Sequence, residues 1–100
     1  SGNESFTAGS GTSSDGDFSI AMGNSNSIGA AGDNSATIGS LNNVTGPNAI
    51  ALGTNNIVSG QGAFAGGSNN TASGQDATAF NNSTASGTFS FAAIAGNASG

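Results

Sequence analysis

The chain has 100 residues and no Lys, Arg, His, Cys, Trp or Tyr, and Glu4, Asp15, Asp17, Asp33 and Asp76 give it a net charge of −5. Nothing is present to neutralise phosphates, so nucleic-acid binding is excluded, as is attraction to an anionic membrane surface. The absence of imidazole and thiol removes the usual acid–base, nucleophilic and soft-metal chemistry, and no apolar run approaches the length of a membrane-spanning helix.

Residues 1–3 read as a leading remnant or linker, and a chain that begins Ser1-Gly2 reads as an internal piece of a longer protein. From Glu4 onward the sequence repeats. Gly16, Gly32, Gly46, Gly60, Gly74, Gly87 and Gly100 follow one another at steps of 16, 14, 14, 14, 13 and 13 residues. A second column runs through Gly9, Gly23, Gly39, Gly53, Gly67 and Asn81. These residue types reach positive φ at low cost. Gly23, Gly39, Gly46, Gly53, Gly60, Gly67, Gly74 and Gly87 are therefore predicted corners. Two corners in each repeat of 14 residues predict an all-β parallel solenoid, with residues 4–100 forming one domain of about seven turns.

The repeat units start at Glu4, Phe18, Asn34, Asn48, Gly62, Asp76 and Phe89. The unit from Phe18 carries two extra residues, placed near Ser27 to Gly29, where a protruding loop is expected. The units from Asp76 and Phe89 each lack one residue. Phe18 and Phe89 themselves sit beside a corner.

The third position of the unit holds Phe6, Ile20, Ala36, Ile50, Phe64, Thr78 and Phe91, and the fifth holds Ala8, Met22, Ile38, Leu52, Gly66, Phe80 and Ala93. Residues two apart on a strand share a face. Their sizes compensate: Phe64 is followed by Gly66, Thr78 by Phe80 and Phe91 by Ala93. Close packing in a fixed volume gives that pattern. Ile20, Met22, Ile38, Ile50, Leu52, Phe64, Phe80 and Phe91 are thus expected inside the coil. Val44 and Val58 join them from the inward column of the second wall, which reads Ser14, Ala30, Val44, Val58, Ala72, Ala85 and Ala98.

The alternate positions, by contrast, stay small. Ala49, Ala63 and Ala77 stand at the second position, and Ala21, Thr37, Ala51, Ala65 and Ala79 at the fourth. A solvated face has no reason to remain this small and uncharged, so these residues are expected to form a subunit interface. Asn, Ser and Thr on the second wall can stack and hydrogen-bond along a parallel ladder. Leu41 and Ile57 break that polar pattern. Few large apolar residues per turn leave a lone coil marginal, which also points to an oligomer.

Asn34-Ser35-Ala36-Thr37-Ile38-Gly39 and Asn48-Ala49-Ile50-Ala51-Leu52-Gly53 resemble the Asn-Ser-Val-Ala-Ile-Gly repeat of YadA-like trimeric autotransporter adhesin heads. Ser19-Ile20-Ala21-Met22-Gly23 is a further match. The resemblance extends over residues 4–100 and is most specific in the central four units; Ile94 departs from it where a corner Gly is expected. It implies a left-handed parallel β-roll packed side by side as a homotrimer. It also implies that the larger apolar pair lies inside each roll, with the small residue between them against a neighbour. The implied place is the bacterial cell surface, projected from the outer membrane by a stalk and anchor outside this sequence. The implied partners are the chain itself and an extracellular-matrix or cell-surface ligand, with no direct membrane contact by this segment.

Other signals have plainer readings. Asp15-Gly16-Asp17 lacks the Gly and Glu that a calcium loop of the helix–loop–helix type needs further on, and a polar corner explains it better. Asn-x-Ser/Thr matches such as those at Asn43, Asn69, Asn81 and Asn97 follow from composition. Pro47 opens a strand, where its missing N–H costs least. No carboxylate pair, metal cage or cation suggests an enzyme, and no cofactor is expected. The leading function is an adhesin head that binds through an extended repetitive surface. A non-binding spacer in a surface fibre is the alternative. An ice-binding solenoid ranks lower, because Thr7, Thr37, Thr45 and Thr78 do not form one regular array.

Overall fold

The computed structural model describes residues 3–93 and 97–99. The departure expected at Ile94 and the corner at Gly100 lie outside the described residues. In chain order the strands are β1 (Phe6–Ser10), β2 (Ser13–Ser14), β3 (Ile20–Asn24), β4 (Ser27–Ile28), β5 (Ala36–Ser40), β6 (Asn43–Val44), β7 (Ile50–Thr54), β8 (Ile57–Val58), β9 (Phe64–Ser68), β10 (Thr71–Ala72), β11 (Thr78–Phe80), β12 (Thr84–Ala85), β13 (Phe91–Ala93) and β14 (Asn97–Ala98). The odd-numbered strands form one seven-stranded sheet and the even-numbered strands a second, each in sequence order. All pairings are parallel. Each circuit of the chain thus adds one long strand to one wall and one short strand to the other. The result is an all-β parallel solenoid measuring 35 × 20 × 11 Å.

The walls face each other through small side chains, so the expected sidedness is reversed. Ala21, Thr37, Ala51, Ala65 and Ala79 are fully buried in the single chain, as are Ala49 and Ala77, and Ala63 is 1% exposed. They cannot form the outer subunit interface assigned to them. They meet the buried Ile28, Val44, Val58, Ala72 and Ala85 from the second wall in one apolar cluster. The expected core positions of the first wall instead point outward. Ile20, Met22, Ile38, Ile50, Leu52 and Phe91 are exposed, and Phe64 and Phe80 are half-buried. Of that expected core, Val44 and Val58 alone are buried.

The reason is the bore of the coil. The backbone, both walls included, spans 11 Å in its thinnest direction, and the side chains buried between the walls are Ala, Ser and Thr from the long strands against chiefly Ala, Val and Ile from the short ones. Such a gap fits Ala or Ser from one wall against Val or Ile from the other. A Phe in the same place would force the walls apart and break the short turns that join them.

The corners differ from the expectation in detail. Gly23, Gly39, Gly53 and Gly67 have φ between 108° and 129° and end the long strands. Gly46, Gly60 and Gly74 have no positive φ; they are needed for space. A Cβ at any of them would collide with the carbonyl oxygen of the glycine one turn further on. Positive φ falls instead on the unit's first residue: Glu4, Phe18, Asn34, Asn48, Gly62, Asp76 and Phe89. It recurs after each long strand at Gly11, Ser25, Leu41, Asn55 and Asn69. The left-handed conformation turns the N–H backwards along the coil. Asn48 N–H donates to Asp33 O at 2.8 Å and Asn55 N–H to Ser40 O at 2.9 Å, both in the preceding turn. The Ile50 N–H, by contrast, donates forward to Ala63 O.

The two extra residues of the second unit are also displaced from their expected place. Ser27–Ile28 is strand β4, in register with Ser13–Ser14 and Asn43–Val44. The insertion follows it, in a turn closed by Gly32 N–H donating to Gly29 O at 2.9 Å. Ile28 therefore fills the inward column, and the expected Ala30 is exposed.

Candidate self-association face

Outward on the long-strand sheet stand two adjacent columns of apolar side chains. Register pairs Ile20, Ala36, Ile50 and Phe64 along one column, and Met22, Ile38, Leu52 and Gly66 along the other. The first three turns after β1 supply aliphatic groups. The last turns supply aromatic ones: Phe64 and Phe80 meet edge-on with ring centroids 5.4 Å apart, and Phe80 and Phe91 do so at 5.9 Å. Gly66 leaves room for this. A Cβ there would lie 2.9 Å from Phe80 Cε1, so the Phe80 ring leans back over the bare glycine. Phe6 at 53%, Ile38 at 47% and Phe91 at 62% exposure show how much apolar surface this wall presents. Burying a large apolar side chain is worth roughly 1.5–3 kcal/mol, and a contiguous apolar patch of this kind marks an interaction surface.

A ladder of buried amides ties the ends of the long strands together. Asn26, Asn42, Asn56 and Asn70 are buried and stacked one per turn. Asn56 Nδ2 donates to Asn42 Oδ1 at 3.0 Å, to Leu52 O at 3.1 Å and to Gly67 O at 3.1 Å. Asn56 Oδ1 accepts the backbone N–H and the Nδ2 of Asn70. Each Asn thus ties the end of its own long strand to the turns on either side. The ladder stops where Ser83 replaces Asn and donates its backbone N–H to Asn70 Oδ1 at 2.8 Å. From there the long strands shorten from five residues to three. The stacking expected of the polar wall is real, but its strongest run is buried. The spacing of 14 residues between Asn42, Asn56 and Asn70 is the sequence signal that marks it.

The remaining surface is mostly polar. Asp17 Oδ1 accepts the Asn3 N–H at 2.9 Å, and Asp33 Oδ1 accepts the Asp17 N–H at 2.8 Å. These carboxylates finish a corner's hydrogen bonds. Asn55 Nδ2 donates to Asn69 Oδ1 at 2.7 Å on the exposed side. Leu41 at 56% and Ile57 at 48% interrupt that polar surface. Phe18 and Phe89 are 57% and 74% exposed while holding φ of 55° and 59°. The threonines do not form an outward array, since Thr37 is buried in the coil.

Comparison with known proteins agrees with this architecture. The YadA head domain repeat matches residues 30–56, in two copies. That stretch holds β5, β6 and β7 and ends just before β8. A comparison with curated proteins found no match. In residues 30–56, then, the chain carries the repeat found in the heads of YadA-like trimeric autotransporter adhesins.

Proposed function

We propose that this chain is the head module of a bacterial surface adhesin. In this reading it is a left-handed roll assembled side by side as a homotrimer, and it attaches to host matrix, cells or other bacteria. The observation that carries the reading is the conjunction of the head repeat at residues 30–56 with the exposed apolar face on the long-strand sheet. A roll whose own interior is filled by Ala, Val and Asn does not use Ile20, Ile38, Ile50, Leu52 and Phe91 for itself. Covering them with copies of the same face leaves the polar wall and corners outermost, available for many weak contacts multiplied over three chains.

The test has two stages. Sedimentation equilibrium of the folded chain is expected to show a trimer, and Ile50→Asp, which plants a charge on the face without touching the interior, is expected to give a β-rich monomer. The trimer is then passed over immobilised matrix proteins and intact cells. Retention on any of them supports a binding head. No retention on any of them leaves the alternative, a spacer that only projects another domain.

A further inference from the structure

We propose that the alternation of large and small side chains on the outer face sets the axial register between copies of this chain, so that each turn meets the same turn of its neighbour. The inference rests on the self-assembly reading above and adds to it which residues choose the alignment.

In every turn the two outward positions lie on one strand, and rotating a copy about an axis parallel to the coil brings the third position of one chain beside the fifth of the next. The pairs are then Phe6 with Ala8, Ile20 with Met22, Ala36 with Ile38, Ile50 with Leu52, Phe64 with Gly66, Thr78 with Phe80 and Phe91 with Ala93. Counted as side-chain non-hydrogen atoms, the turns hold from about five to about ten atoms each, a spread that close packing can absorb. The fullest turn, Thr78 with Phe80, is also the one whose ring leans back over Gly66 in the preceding turn, which evens out the two.

Slipping the copies by one turn destroys this balance. In one direction Phe64 meets Phe80 while Ile50 meets Gly66 and Thr78 meets Ala93; in the other Phe91 meets Phe80 while Thr78 meets Gly66. The same count then runs from roughly three or four atoms to roughly fourteen, so overpacked turns alternate with voids. Hydrogen bonding does not provide this discrimination, because every backbone repeat looks the same to its neighbour. A lipid surface would not require compensation within each turn, since it does not repeat at the height of one strand. The chain's five carboxylates without a single cation also disfavour an anionic surface.

Ile50 and Leu52 provide the test, because both are outward and about 40% exposed in the single chain. Ile50→Ala removes about three side-chain atoms from a turn whose neighbours are packed to the native shape, and Leu52→Phe adds about three to the same turn. Each alone is expected to weaken association at least about tenfold in sedimentation equilibrium, with the β-type circular dichroism unchanged. Together they set a small residue before a large one, as Ala36 precedes Ile38, and return the turn to about eight side-chain atoms, so the double variant is expected to recover most of the loss. Losses that simply multiply in the double variant would overturn the register code while leaving self-assembly standing. A parent chain that stays monomeric at the highest concentration would overturn both.

Discussion

Asn56→Ala isolates the cost of the buried amide ladder. Asn56 is fully buried, and its side chain makes five hydrogen-bond contacts: the two Nδ2 hydrogens are shared among Asn42 Oδ1, Leu52 O and Gly67 O, and Oδ1 accepts two from Asn70. Alanine removes all five. Asn42 Oδ1 keeps the Asn56 backbone N–H, and Asn70 Nδ2 keeps Gly66 O. Gly67 O, Leu52 O and the Asn70 N–H lose their side-chain partner. The Asn70 N–H is buried while the two carbonyl contacts are part-buried; a buried group left unpaired costs about 1–3 kcal/mol and one that water reaches costs less, so a total loss of about 2–4 kcal/mol is expected. Asn55→Ala, one residue away but exposed, loses a single surface bond to Asn69 and is expected to cost no more than about 1 kcal/mol. The assay is urea unfolding followed by circular dichroism, with both variants compared at one protein concentration because association adds to apparent stability. Equal losses at the two positions would refute the claim that the ladder is a principal tie between turns. Asn56→Asp sharpens the test. A carboxylate there cannot donate to Leu52 O or Gly67 O and resists ionising in a buried site, so its folded pKa is raised. The variant is then expected to lose stability as pH rises from the unfolded carboxylate range through that folded pKa, and to be least damaged in acid.

Three further outcomes follow from the coil. Thr37 Oγ1 is buried without a hydrogen-bond partner, so Thr37→Val, which keeps the shape and drops the hydroxyl, is expected to raise stability by about 1–3 kcal/mol in the same urea titration; a fall would mean that the hydroxyl is satisfied. Gly53 has φ of 121° and backs onto the Gly67 carbonyl, so Gly53→Ala is expected to cost at least about 3 kcal/mol or to prevent folding, read as loss of the β-type spectrum. Phe18 holds a left-handed φ of 55° in a column whose central members are Asn, Gly and Asp. Phe18→Asn is expected to raise thermal stability by about 1 kcal/mol, and a destabilised variant would show that the ring packs against something in the assembly.

The repeat is fully legible in the residues themselves. Spacings of 13 to 16 residues between glycines, and the alternation of apolar and small residues between them, are enough to require a parallel coil with two walls. The buried Val44 and Val58 are legible too, because they interrupt a polar wall at a fixed place in each unit. The side on which Ile50 and Leu52 lie is not. A period of two tells which residues share a face and leaves open which face is inside. Size compensation between Phe64 and Gly66 fits a filled interior and a filled interface equally well. The tertiary structure decides between them through a single length, the narrow bore that a circuit of about 14 residues encloses, into which Ala51 and Val58 fit and Phe64 does not. The same closure decides that Ile28, not Ala30, points inward, since only the strand pairing shows where an inserted pair of residues is absorbed. Sequence alone therefore determines the coil and its period, and the geometry of closing that coil determines which of its faces is left exposed.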